Sequence, residues 1–260
     1  GPFVRLVSAQ RLMANGPTRG SVAIPKLERG THRRNTSASD PQGAVPGGRR
    51  DDGSMAIVPD DMEVDRRLPP GQYVTRGRPV VHYGRVPAFR PERWNLMVFG
   101  ATASGTESRL TWPEFCALPR VTVVADFHCV TRFSVLDNVW SGVAATTLLE
   151  LVPPAPEVRH VMIWAEYGYS ANLRMSDFTT PQTLFATELD HQPLTPERGH
   201  PVRLVVPHLY AWKSVKWVRG IEYLVEDRRG FWEERGYHNI GDPWREQRYS
   251  YQEEPGEGPP

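Results

Sequence analysis

Apolar runs in this chain are short, rich in β-branched residues and closed off by proline or glycine, which narrows what it can fold into. Pro79–Tyr83 (PVVHY), Trp94–Gly100 (WNLMVFG), Val121–Val124 (VTVV), Val161–Tyr167 and Pro201–Pro207 (PVRLVVP) have the length and composition of strands. Leu110–Leu118 (LTWPEFCAL) reads as a short helix. Thr111 and Glu114 stand at capping-box spacing, and Pro113 falls in the first turn, where a missing N–H is harmless. Trp140–Leu151 reads as a second helix, capped by Ser141 and ended by Pro153–Pro154. Thr180–Thr187 reads as a third, with Pro181 at its first position. Gly168–Asn172 (GYSAN) reads as a polar loop and Leu189–Thr195 as a strand or turn. With no βαβ alternation and no internal repeat, the expected class is α+β, a strand-rich mixed domain.

Composition shifts sharply along the chain. Residues 1–65 are rich in Gly, Pro, Ser and Arg without sustained periodicity, and are expected to form a disordered tail that cannot bury enough apolar area to offset its entropy. Arg33, Arg34, Arg49 and Arg50 make that tail basic; a solvated tail or a leader ahead of a start at Met55 is the plainer reading. The folded domain is expected over 66–252, with 253–260 (EEPGEGPP) frayed. With 260 residues, 39% hydrophobic content and a formal charge of +1, the chain can build one substantial core. The near-zero charge argues for no nucleic-acid or anionic-membrane partner. Two cysteines make no disulfide framework. No run approaches the roughly 20 apolar residues of a membrane span, and no secretory signal is visible. A cytoplasmic, monomeric protein is the expectation.

Chemistry concentrates around Val121–Arg132 (VTVVADFHCVTR), where a β-branched run delivers Cys129 to the end of what reads as a buried strand. A thiolate suits a soft or high-valent metal, and a neighbouring Arg favours it over the thiol. The plain alternative is a buried cysteine acting as a small hydrophobe. His128, next to Cys129 on a strand, is expected to face away and pack. Arg132 either supplies positive charge to the site or pairs with Asp126 or Asp137. Cys116, on the short helix, is expected to pack. Three further polar clusters recur: His82, Tyr83 and Arg85; Arg198, His200 and Arg203; and Lys213, Ser214 and Lys216 between Trp212 and Trp217. Arg203, flanked by Val202 and Leu204, is costly unless it meets an anion or a carboxylate, and the Lys213–Lys216 stretch offers ammonium groups and backbone N–H groups suited to phosphate; taken alone, each cluster is explained as well by surface charge or internal ion pairing. Together they describe a seat for a metal carried on a phosphorylated organic ligand.

From about Val80 to Leu224 the chain resembles the molybdopterin-binding domain of the sulfite oxidase superfamily, most of all its small bacterial members. The matching stretches are PVVHYGRVPAFRPERWNLMVFG, DFHCVTRFS, GYSANL and RGHPVRLVVPHLYAWKSVKW. The resemblance implies a molybdenum–molybdopterin cofactor with Cys129 as metal ligand, completing a set with the pterin's two sulfurs. It implies Arg203 and Arg198 as cofactor contacts, Ser214, Val215 and Lys216 as a contacting tripeptide, His82 and Tyr83 in the first cofactor loop, and Tyr169 as the active-site tyrosine.

The departures are Val81, where animal sulfite oxidases carry an arginine, and the expected lack of a haem domain, of a C-terminal immunoglobulin-like domain and of the export signal of the methionine-sulfoxide-reducing branch. The implied activity is oxygen-atom transfer, or a related two-electron reaction, on a small S- or N-containing substrate, with an external electron-transfer partner. Tyr169 would hydrogen-bond the equatorial oxygen or substrate, with a plain loop hydrogen bond as the alternative, and Arg132 would attract an anionic substrate. Other readings are a non-catalytic cofactor carrier, a cysteine hydrolase using Cys129 with His82 or His200, and, least supported, a zinc site. The aromatic C-terminal stretch, with Trp232, Tyr237, Trp244 and Tyr249, is expected to brace the domain or to dock a partner.

Overall fold

A computed structural model of the protein describes residues 61–259. The expected tail, its four arginines and Met55 lie outside the described residues, apart from α1 (Asp61–Arg66).

One sheet is built on a hairpin of β4 (Val121–His128) and β5 (Phe133–Ala144), paired from Val121↔Gly142 to His128↔Ser134. On its other edge β5 pairs with β1 (Tyr73–Val74) and with β8 (Leu184–Leu189), which pairs in turn with β9 (Gln192–Pro193) and β10 (Arg203–Val205). A second sheet, in the order β3 (Ser108–Thr111), β2 (Asn95–Gly100), β11 (Val218–Leu224), β6 (His160–Ala165), β7 (Ser170–Arg174), completes the mixed architecture. The main core draws Leu96, Ile163 and Ile221 from this sheet and Val143, Phe185 and Leu204 from the first. Leu184, Ala186 and Val205 point to the opposite face, into a smaller cluster around Trp140. This period-2 alternation leaves β8 and β10 apolar on both sides. Gly142 is required where β5 crosses β8, since a Cβ there would lie 2.1 Å from the Phe185 carbonyl oxygen.

Several local expectations change for long-range reasons. Trp140–Ala144 extends β5, and only Ala145–Leu151 forms helix α3; ladder partners on both edges outweigh a helix-forming composition, and the Ser141 hydroxyl bonds Thr122 rather than a helix end. Thr180–Thr183 is a turn that leads into β8, not a helix. GYSAN enters β7. Helix α2 is confined to Trp112–Cys116, with β3 before it and the Thr111–Glu114 capping box intact. Cys116, expected to pack, is exposed. β4 is an edge strand rather than a buried one, with Val124 58% exposed. Pro79–Tyr83 has no strand partner and runs as irregular, largely exposed chain. The segment expected to fray is tied by Glu253 to Arg229 and by Glu257 to Arg245, each at 2.6 Å.

Candidate active site

Cys129 follows β4 directly and opens the tight turn into β5: its N–H donates to the Phe133 carbonyl, and its own carbonyl accepts from the Arg132 N–H, both at 2.9 Å. The Thr131 hydroxyl donates to the Cys129 sulfur at 3.1 Å. Gln72 grips the Cys129 carbonyl at 3.1 Å, and Arg248 the Val130 carbonyl at 2.6 Å. His128 faces away, as expected, and bonds Ser134 at 2.8 Å; burial lowers its pKa. Phe133 and Val135 pack beside the thiol, yet Cys129 opens on a cavity of about 950 Å³.

That cavity also receives Arg203, Arg198 and Lys216, from β10, the loop before it and the loop before β11. Gly199 lets these loops approach, since a Cβ there would come within 3.2 Å of Lys216 Cβ. Arg203 is 5% exposed, and its guanidinium reaches only carbonyl oxygens, of Ser214 at 3.1 Å, Arg198 at 3.3 Å and Leu204 at 3.5 Å. Phe127 and Trp140 present their rings to it, each at 5.1 Å. Lys216 donates to the carbonyls of Val81 and Glu197 at 2.8 Å, and Arg198 to that of Arg78 at 2.8 Å. Among the described residues none of the three cations has a carboxylate ion-pair partner. Burial, and next Arg198, pull the Arg203 guanidinium down to about 9. Burial, with Arg203 and Arg198 nearby, brings Lys216 to about 7. Buried charge without a counter-charge is costly, so this end of the cavity, as the described residues form it, suits an anion. The indole N–H of Trp140, buried without a partner, adds an unused donor beside Arg203. One thiol and an anion grip across a cavity of this size fit a metal held on a phosphorylated pterin.

His82 and Tyr83 line the cavity on the irregular segment: His82 bonds the Gly84 carbonyl at 3.1 Å and meets Trp217 edge-on, while Tyr83 packs on Phe231. Tyr169 lines it too, donating to the Trp212 carbonyl at 2.8 Å; burial first, then Glu233 and Tyr237, hold its phenol well above the usual range. Two expected site residues stand apart. Val215 does not line the cavity and packs its side chain in the main core, because it alternates with the wall residues Ser214 and Lys216. Arg132 does not line the cavity either; its guanidinium turns to the Gly71 carbonyl at 3.5 Å. Nor does it pair with Asp126 or Asp137, which Arg67 takes at 2.5 and 2.6 Å. Neither His82 nor His200 hydrogen-bonds the Cys129 sulfur, whose side-chain partner among the described residues is the Thr131 hydroxyl. Among the described residues no three His, Cys, Asp or Glu side chains gather around a metal position.

Thr131, Trp140, Phe231, Trp232 and Tyr237 were not singled out from the sequence as site residues. The C-terminal aromatics were visible as a cluster, but only the fold shows that Phe231, Trp232 and Tyr237 form cavity wall.

The oxidoreductase molybdopterin binding domain family matches residues 83–232. The uncharacterized oxidoreductase YuiH of Bacillus subtilis is 44% identical over 186 residues, covering 71% of this chain and 93% of that protein. The methionine-sulfoxide reductase catalytic subunit MsrP of Campylobacter jejuni is 26% identical, over 56% of this chain and 54% of its own length. Sulfite oxidase of Arabidopsis thaliana is 29% identical, over 55% and 46%. The chain thus spans about half the length of these last two relatives. The sulfane dehydrogenase SoxCD of Paracoccus pantotrophus shares the fold alone, with a TM-score of 0.51 at 17% identity over 70% of this chain and 56% of that one. Among the described residues no helix is long and apolar enough to cross a membrane. With its sheet-rich fold, its thiol and the matched span, the chain belongs to the oxidoreductase molybdopterin-binding domain family, within the sulfite oxidase superfamily.

Proposed function

We propose that the protein is a molybdenum–molybdopterin oxidoreductase in which Cys129 is the metal's protein ligand. Arg203, Arg198 and Lys216 grip the pterin's phosphate, and His82, Tyr83 and Ser214 flank it. The observation that carries this is a buried Arg203 without a carboxylate partner among the described residues, in the cavity onto which Cys129 opens. When bound, the group supplies two-electron chemistry of the oxygen-atom-transfer type, here on a small S- or N-containing substrate, with electrons exchanged through an external partner.

The chain's own residues orient and tune. The Thr131 hydroxyl, donating to the Cys129 sulfur at 3.1 Å, fixes the direction in which that sulfur points. Tyr169, with its raised pKa, stays protonated at neutral pH and is a hydrogen-bond donor at the wall. Phe231, Trp232 and Tyr237 keep water from that wall. Metal analysis of wild-type and Cys129→Ala protein, made in a host that synthesises the cofactor, tests the proposal. The expected result is about one molybdenum per wild-type chain and none in a folded variant. A folded wild type free of molybdenum overturns it.

A further inference from the structure

Thr75–Arg93 carries five arginines against one glutamate, in a chain whose net charge is only +1. It forms neither strand nor helix and runs along the cavity, contributing Arg78 to Arg85 to its lining. Arg76, Arg85, Arg90 and Arg93 are exposed and have no carboxylate ion-pair partner among the described residues. Between them Val80, Val81 and Tyr83 are 45, 57 and 55% exposed. The segment is anchored from below, since Lys216 holds the Val81 carbonyl and Arg198 that of Arg78, both at 2.8 Å. On its far side Arg219 links the Arg93 carbonyl, at 3.4 Å, to Glu166 on the cavity wall, at 2.6 Å. An exposed apolar stretch flanked along the chain by exposed arginines, none with a carboxylate partner among the described residues, beside the cavity onto which Cys129 opens, is a surface for transient, charge-steered docking.

We propose that Thr75–Arg93 is the docking surface for a small acidic one-electron carrier protein. The inference rests on the oxidoreductase reading above, which requires an external electron partner. Carboxylates on the carrier meet Arg76, Arg90 and Arg93, and its apolar contact covers Val80 and Val81, which brings its redox centre over the cavity. Converting one S- or N-oxide to the deoxygenated product and water consumes two electrons and two protons. Two dockings of the reduced carrier are therefore needed, each of which leaves it oxidised by one electron. An anionic membrane is the less fitting occupant, because the net charge of the chain is only +1.

The test uses the full chain as purified, with an acidic two-iron ferredoxin and, separately, phosphatidylglycerol vesicles as probes. The expected result is ferredoxin binding that weakens steeply between about 50 and 200 mM salt and falls at least tenfold in Arg76→Glu/Arg90→Glu/Arg93→Glu. Molybdenum content and dye-linked turnover of that variant should equal those of wild type, since the three side chains lie outside the cavity. Equal ferredoxin binding by variant and wild type overturns the proposal, as does arginine-dependent binding to vesicles without binding to ferredoxin. A protein without molybdenum would sink the oxidoreductase reading while the binding comparison still decides the surface.

Discussion

Arg248, near the C-terminus, donates from Nη1 to the carbonyl of Val130 at 2.6 Å and so clamps the turn that begins at Cys129. Its guanidinium lies over the Tyr210 ring at 4.9 Å, and the residue is 5% exposed. A hydrogen bond from a charged donor contributes about 1.5–3 kcal/mol. Arg248→Met is expected to destabilise the protein by about that amount and to speed molybdenum loss during dialysis several-fold. Urea unfolding and metal analysis check the two effects. Unchanged metal retention would mean that the clamp does not position the thiol.

A second long-range tie sets the opposite wall. Lys213 Nζ lies 2.6 Å from Glu233 Oε1, with both side chains sealed from solvent, and also bonds the carbonyls of Asn172 and Asn239 at 2.8 and 2.6 Å. Removing one partner of a buried pair costs about 3–5 kcal/mol. Glu233→Gln should lower stability on that scale in urea unfolding. Lys213→Met/Glu233→Leu should recover part of the loss, because no lone charge remains.

Lys216 makes stability and anion binding depend on pH. Its folded pKa is about 7 against an ordinary 10.5, so between these values the unfolded chain holds a proton that the folded chain has released. Stability from this group therefore rises with pH across that window, and the full penalty stands below pH 7. Lys216→Met should flatten the rise in melting temperature from pH 7 to about 9.5. Sulfate, whose charge is constant over this range, should stabilise wild type less as pH passes 7 upward. A thermal-shift series with and without sulfate checks both, and a pH-independent sulfate effect would contradict the assignment.

Arg132 has φ of 79° in a turn and no role at the cavity wall. The left-handed region costs a non-glycine residue roughly 1–2 kcal/mol. Arg132→Gly is expected to stabilise the protein by up to about 1 kcal/mol while molybdenum content and turnover stay within about twofold. A tenfold loss of turnover at full metal content would return Arg132 to the site.

Much of the candidate site was legible because the polar residues that line the cavity stand in short segments. Cys129, Arg198, Arg203, Ser214 and Lys216 stand out as polar groups set against apolar neighbours, and a residue such as Arg203 in PVRLVVP announces its cost without any partner in view. Val215 and Arg132 lie off the cavity wall for one reason: a segment's place beside a cavity does not say which of its side chains point inward. Trp140 was hidden twice, once as part of a helix that proved to be β5 and once because only the sheet brings it under Arg203.

Local pattern was enough for the strand-rich class, the capping box at Thr111–Glu114 and the thiol at the end of β4, since each depends on neighbours a few residues away. Contacts across 118 residues from Arg248 to Val130, and across 135 from Lys216 to Val81, depend on how two sheets pack. Ladder partners also overruled the helical composition of Trp140–Ala144 and of the part of Thr180–Thr187 from Leu184 onward. Pairing energy between distant strands has no trace in the run of residues that yields to it, so the cavity, its counter-charge deficit and its aromatic wall appear only in the folded chain.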